Sequence, residues 1–228
     1  MAGLGFARIK SEKPILFISD IQATLNFNIE GWKRMIKDIR EYAPFAAVVT
    51  VGDIYENVEL YPQQFEKNFK MRVQHAIVQK LFNQLLNATE PEVILMVPGN
   101  HDTAKFGQDL TLEIAKKLRL EGYRVGYTSE ILLINYKTSK GQRNIVCIHK
   151  LGRSYGSQVA AITYTIYRNA LELIQWIQQT YHIIINDFIY GHIHRPVQRY
   201  GAVRFLVLGG WNRDKFFIAD PVSYTHLR

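Results

Sequence analysis

The residues most able to do chemistry stand in one short stretch, Val97-Pro98-Gly99-Asn100-His101-Asp102. An apolar run, Val93 to Val97, reads as a buried strand, and Pro98-Gly99 ends it and turns the chain. An amide, an imidazole and a carboxylate then follow in a row, beyond the carboxyl end of a strand, where α/β proteins place their sites. The same event recurs four times. Ile15 to Ser19 runs into Asp20-Ile21-Gln22, Ala47 to Val51 into Gly52-Asp53, Ile145 to Ile148 into His149, and Phe188 to Tyr190 into Gly191-His192-Ile193-His194. Five apolar strands that each end in Asp, Asn or His point to convergence on one metal centre.

The ligand types are carboxylate, amide and imidazole, without thiolate. They suit Mn²⁺ first, with Fe or Zn²⁺ as other candidates, and argue against a Cys-rich structural zinc site. The candidates are too many for one ion. Two divalent ions about 3.5–4 Å apart, bridged by a carboxylate, would use them, bind a phosphate and generate hydroxide near neutral pH.

The elements that must position these residues follow from pattern. Strand Pro14–Ser19, a helix over Ile29–Tyr42 with Asn28 as N-cap, and a strand ending at Asp53 make a βαβ unit with a parallel pair. A long helix is expected from Gln63 to Asn87, with Phe65, Phe69, Val73, Ala76, Ile77, Leu81 and Leu85 inward and Lys67, Lys70, Arg72 and Lys80 as a basic edge. The next helix runs from about Asp109 to Arg119, and Gly122 and Gly126 break the chain. Strands 131–136 and 144–148 form a hairpin around Lys140-Gly141, where antiparallel pairing begins. After a basic loop, Gly152 to Ser157, a helix reaches Tyr181 with Ile162, Ile166, Ala170, Leu173, Ile174 and Ile177 on one face. A second hairpin turns at Gly201-Ala202, and Lys215–Ala219 is a further strand.

At 228 residues and with no internal repeat or linker, the chain reads as one domain over 1–222. The last residues, Ser223 to Arg228, continue no earlier pattern and read as a non-native tail, so His226 is left out of the site. No run of about eighteen apolar residues predicts a membrane span. The start of the chain lacks a secretory pattern, so a cytoplasmic protein is expected. The single Cys147 reads as a small core residue. A net charge of +8 suits an anionic partner or simple solubility.

Asp20-Ile21-Gln22, Gly52-Asp53, Gly99-Asn100-His101-Asp102, His149 and Gly191-His192-Ile193-His194 resemble, in order and spacing, the motif series of the calcineurin-like metallophosphoesterases. The resemblance implies a mixed α/β fold, a four-layer αββα sandwich of two mixed sheets. It also implies two divalent metals: Asp20, Asp53 and His194 around the first, Asp53, Asn100, His149 and His192 around the second. His101 would protonate the leaving oxygen or stabilise the transition state, and Asp102 would orient its ring. In that family the first motif is normally Asp-x-His. Gln22 stands in the His place as a weaker ligand, which predicts a first metal bound less tightly.

The reading is a metal-dependent phosphohydrolase that cleaves a phosphomonoester, phosphodiester or pyrophosphate of a small phosphorylated substrate, such as a nucleotide or nucleotide sugar. Arg153, Tyr155, Arg168 and Arg195 are the candidate substrate contacts. The segment Gly191 to Pro196, the hairpin and Gly209-Gly210-Trp211 look like the UDP-2,3-diacylglucosamine pyrophosphatase branch, with Gly52 to Glu56 in agreement. Those enzymes typically carry Arg where His101 stands, so the expectation is a relative of that branch. A nuclease using the basic helix, and a weakly catalytic scaffold suggested by Gln22, are the alternatives.

Overall fold

The computed structural model describes residues 3–24, 27–56, 71–102, 108–151, 159–194, 196–211 and 225–227, with the side chains of 159–164 and 225–227 outside that description. Four short strands carry the second sheet because they are apolar on both faces, as a sheet covered on both sides requires. They are β2 (Ile15–Ile18), β3 (Ala47–Val51), β4 (Ile94–Val97) and β5 (Val125–Tyr127), all parallel. Strand β11 (Thr225–Leu227) pairs antiparallel with the outer side of β2, so the residues read as a foreign tail lie against Ile15–Phe17.

The first sheet has the order β1-β6-β7-β8-β10-β9. Its members are β1 (Leu4–Lys10), β6 (Ile131–Thr138), β7 (Gly141–Ile148), β8 (Asp187–Tyr190), β9 (Val197–Arg199) and β10 (Arg204–Val207). The pairs β6·β7 and β9·β10 are antiparallel hairpins, whereas β1·β6, β7·β8 and β8·β10 are parallel. Both sheets are therefore mixed.

Period-two alternation builds the layers. Ile15 and Phe17, Val49 and Val51, and Leu95 and Val97 face inward against Ile145, Cys147, Ile189 and Leu206 of the first sheet. Their neighbours Leu16, Ile18, Val48, Ile94 and Met96 face outward under α1 (Ile29–Ile39), α2 (Met71–Thr89) and α3 (Leu110–Leu120). Val146, Ile148, Phe188 and Tyr190 meet α4 (Val159–Tyr181) through Ile166, Ala170, Ile174 and Ile177. The result is a four-layer αββα sandwich, and Cys147 is a buried core residue between the sheets.

Local signals place the helix starts. The Asn28 side chain accepts from Gly31 N, and that of Asp109 from Leu112 N, each satisfying a first-turn amide.

Strand β1 was not among the elements expected from the sequence: it carries no continuous apolar run, and as a half-buried edge strand it alternates, with Phe6, Arg8 and Lys10 exposed and Ile9 inward. Two expectations are corrected. Gly126 does not break the chain but sits inside β5, where a Cβ would come within 2.8 Å of Leu95 Cδ2. On α2 the buried stripe is Gln74, Val78, Leu81, Phe82, Leu85 and Leu86, whereas Val73 and Ala76 face solvent. Residues 57–70 and the expected strand 215–219 lie outside the described residues.

Candidate metal centre

Strands β2, β3, β4, β7 and β8 all deliver their carboxyl ends to one edge of the sandwich, where the seam between the two sheets opens. Asp20, Asp53 and His149 are buried there, with His192, His194, Asn100 and His101 partly so. Two groups of possible ligand atoms, each within 4.8 Å of one another, form: Asp53, His149 and His192, and Asp20, Asp53 and His194. Asp53 belongs to both.

The backbone is bent to make this happen. Asp20 (φ 52°), Gln22 (φ 41°), Asp53 (φ 48°), His192 (φ 73°) and His194 (φ 60°) all lie in the left-handed region. Asp and His tolerate that region better than most residues, but each still costs about 1–3 kcal/mol and persists only where the surroundings hold it. The restraints are visible. Asp20 N donates to Gly52 O (3.0 Å), Gln22 N to Asp53 O (2.9 Å), and Trp211 N to Asp20 O (3.2 Å). Trp211 is itself buried against Phe27 and Trp32, and its carbonyl accepts from Asn28 N at 2.7 Å. Glycine makes the approach possible at Gly99, where a Cβ would stand 2.0 Å from Asp53 Oδ1, and at Gly52, where it would stand 2.3 Å from the His149 ring.

Hydrogen bonds fix the donor atoms. His149 Nδ1–H donates to Val51 O (2.9 Å), which turns Nε2 toward the site, 3.0 Å from Asp53 Oδ2. That outer contact to a carbonyl is the usual support of a metal-binding imidazole. His101 N donates to Asp53 Oδ1 (2.8 Å), and His192 N to Asp20 Oδ2 (2.9 Å). His194 Nε2 lies 3.3 Å from Asp20 Oδ1. Asn100 Oδ1 is buried without a hydrogen-bond partner among the described residues. A buried amide oxygen in that state costs about 1–3 kcal/mol, and a cation would satisfy it. The donor set, all oxygen and imidazole nitrogen, fits divalent metals.

Electrostatics give the same picture. Burial pushes the Asp20 carboxyl up to about 7, with the charge of Asp53 adding to it. Burial acts upward on Asp53 too, but His149 and its hydrogen bond outweigh it and hold that carboxyl below the usual range. His149 rises to about 9, because Asp53 overcomes the effect of burial, and His192 falls to about 4 through burial and the charge of His149.

The structure separates the expected site residues. Asp20, Asp53, His149, His192 and His194 come together, and buried Gln22 and the Asn100 loop lie on the same edge. Asp102 is buried, but its carboxylate closes the loop: Oδ1 accepts from Tyr55 N (2.9 Å) and Oδ2 from Gly99 N (2.8 Å). Burial and the Asp53 charge push it up to about 6. The carboxylate set against the His101 ring is instead Glu56, whose Oε1 is 3.5 Å from Nδ1. Sequence reading missed Glu56; its signal is a carboxylate three residues after Asp53 on the same loop. Arg168 lies on the exposed face of α4, 4.0 Å from Glu172, and nothing described joins it to the site. Tyr167 packs on Phe205 beneath Arg199 and is a packing residue. Arg153, Tyr155 and Arg195 lie outside the described residues.

A two-sheet αββα sandwich that brings two groups of possible metal ligands to one edge fits the metallophosphoesterase fold. Residues 13–205 match the calcineurin-like phosphoesterase family, and the chain belongs to it. No curated protein matches the sequence. Among solved structures, Vacuolar Protein Sorting 29 from Cryptosporidium parvum is similar at 15% identity, covering 100% of this chain and 87% of that one, with a TM-score of 0.46. The protein TT1561 of Thermus thermophilus is 13% identical over 88% of this chain and 91% of that one (TM-score 0.47). A conserved Streptococcus pneumoniae protein described as a predicted phosphoesterase is 17% identical over 87% and 72% (TM-score 0.37). None of the three bears on activity. Among the described residues no helix is long and apolar enough to cross a membrane.

Proposed function

We propose that this protein is a metal-dependent phosphohydrolase with two cation sites that share Asp53. The observation that carries the reading is the pair of ligand groups, Asp20-Asp53-His194 and Asp53-His149-His192, built on strained left-handed backbone at the open edge of the sheets. Asn100 would complete the second group through its buried amide oxygen. When bound, the cations lower the pKa of water and offset the charge of the substrate phosphate. The rest falls to the chain's own side chains. His101 is held at the rim by the Asp53 bond to its backbone and by Glu56 beside its ring, and it protonates the leaving oxygen. Asp102 fastens the loop that presents Asn100 and His101.

The two cation sites are unequal in this reading. Gln22 is fully buried at the Asp20 side, and an amide is a weaker ligand than imidazole for Mn, Fe or Zn, so the Asp20 site binds its ion less tightly. The substrate is a small phosphomonoester, phosphodiester or pyrophosphate. The likeness of residues 191–211 to the UDP-2,3-diacylglucosamine pyrophosphatase branch makes a nucleotide-sugar pyrophosphate one arm of the test.

The test is hydrolysis by metal-stripped protein with Mn²⁺ restored, on a chromogenic monoester, a chromogenic diester, a nucleotide-sugar pyrophosphate and single-stranded DNA. Asn100→Ala is the control. Metal-dependent turnover that the control loses is the expected result, and the preferred arm names the substrate class. Turnover on none of them, with metal bound, overturns the proposal in favour of a scaffold. Strong salt-sensitive cleavage of DNA alone would make the protein a nuclease.

A further inference from the structure

A cavity of about 350 Å³ opens beside the centre, on the side of Asn100 and His149. It spans the seam between the sheets. Asn100 follows β4 of the second sheet, His149 and Lys150 follow β7 of the first, and Ser129 and Glu130 come from the loop before β6. One end of the cavity is therefore made of candidate ligands of the second cation, and the other is open to solvent at exposed Ser129, Glu130 and Lys150. Lys150 is the one cation among its lining residues, and among the described residues no carboxylate is paired with it.

A phosphate held between the two ligand groups sends its leaving group along whatever channel adjoins the centre. An alcohol leaving group is neutral and gains little from a lysine there. A leaving group that is itself a phosphate brings further negative charge to an edge that already holds Asp20, Asp53 and Glu56. A cation beside His149 offsets that repulsion and stabilises the charge that develops as the bond breaks.

We propose that this cleft is the leaving-group subsite, and that Lys150 makes it select substrates in which a second phosphate is joined to the one attacked. The inference rests on the phosphohydrolase reading above. In the reaction it favours, the oxygen of water bonds to the first phosphorus and the bond from that phosphorus to the bridging oxygen breaks. The electron pair stays on the bridging oxygen, which leaves with the second phosphate and takes a proton from His101, and a proton of the attacking water restores His101.

Calorimetry on the Mn²⁺-loaded full chain tests the subsite without needing turnover. Methylenebisphosphonate and inorganic phosphate are titrated into the wild type, Lys150→Gln and Lys150→Arg. Hydrolysis of a dinucleoside pyrophosphate and a chromogenic monoester by the same samples is measured alongside. The expected result is that the preference for bisphosphonate over phosphate falls about tenfold in Lys150→Gln, the scale of one solvent-exposed charge-assisted contact, and is largely restored in Lys150→Arg. An unchanged preference in Lys150→Gln overturns the proposal, as does a Lys150→Arg variant that falls as far as Lys150→Gln. A preference that depends on Lys150 in a protein that hydrolyses neither substrate supports the subsite and overturns the phosphohydrolase reading instead.

Discussion

Asp187 and Asp53 are both fully buried carboxylates, and the chain treats them in opposite ways. Asp187 opens β8, at the far end of that strand from His192. Arg143 grips it with two bonds, Nε to Oδ2 at 2.7 Å and Nη2 to Oδ1 at 2.8 Å, and Arg204 Nε adds a third at 2.6 Å. Its backbone is ordinary strand, paired in register with Ile145 and Arg204. Asp53 has no guanidinium. Among the described residues its partners are the His149 ring and the His101 amide, and its backbone is left-handed. A carboxylate buried for structure is closed by side-chain cations that the chain itself supplies. The edge that holds Asp53 and Asp20 supplies them with imidazoles and backbone amides and no guanidinium among the described residues, which is the basis for proposing that cations balance them. Strained backbone together with incomplete neutralisation is what separates a site from a clamp.

Removing the shared carboxylate should have the largest effect. Asp53→Asn takes one ligand from both groups. Bound Mn²⁺ measured by elemental analysis should fall to near zero and metal-dependent turnover by about 10³-fold or more, beyond the loss of a single transition-state contact. Turnover that survives in Asp53→Asn would mean that Asp53, like Asp187, is buried for structure alone.

The pH dependence of the metal-free protein comes next. His149 has its folded pKa raised from 6.5 to about 9 by Asp53, so its contribution is whole below about pH 6.5 and gone above about pH 9. Asp20, raised to about 7, and Asp102, raised to about 6, are protonated in the fold more than in the open chain, and they too lose stability as pH rises, from about 4 upward. His192, lowered to about 4, acts in the other direction below pH 6.5. Between pH 7 and 9 the His149 effect dominates, and the metal-free protein should lose up to about 3 kcal/mol by denaturant titration. Saturating Mn²⁺ should abolish that fall, since a cation replaces the protons. A flat profile without metal would mean that the site edge is already balanced, as the Asp187 clamp is.

Asp187→Asn should act on stability alone. Breaking a buried pair costs about 3–5 kcal/mol, but Arg143 and Arg204 retain 42% and 24% exposure and can turn to water, so about 2–3 kcal/mol is expected in the denaturant midpoint. Mn²⁺ content per folded chain should be unchanged, and a variant that loses its metal would show the two clusters to be coupled.

The smallest expected effect sharpens the site itself. Gln22→His should tighten the weaker Mn²⁺ site by about tenfold in a metal titration, the scale on which ligand substitutions act. Equal, tight stoichiometry of two ions in the unaltered protein would show that Gln22 is no handicap.

The sequence by itself determined which strands end in residues able to bind a cation. Continuous apolar runs followed by Asp20, Asp53, Asn100, His149 and His192 are local, because a strand buried on both faces must be apolar and must stop where a polar group begins. The cap at Asn28 was legible for the same reason, as its side chain serves an amide three residues on, whereas Asp109 was read only as the approximate start of its helix and proves to be its cap. What only the tertiary structure decided is how those ends meet. Strand β1 gives no local signal because its burial comes from pairing with β6, more than a hundred residues away. Glu56 beside His101, Asp102 turned to Tyr55 N and Gly99 N, and Lys150 at the cleft depend on loops from different sheets crossing at one seam. Residue types state which groups can bind a cation. Distance, burial and backbone strain, which arise only when the two sheets pack, decide which groups face it.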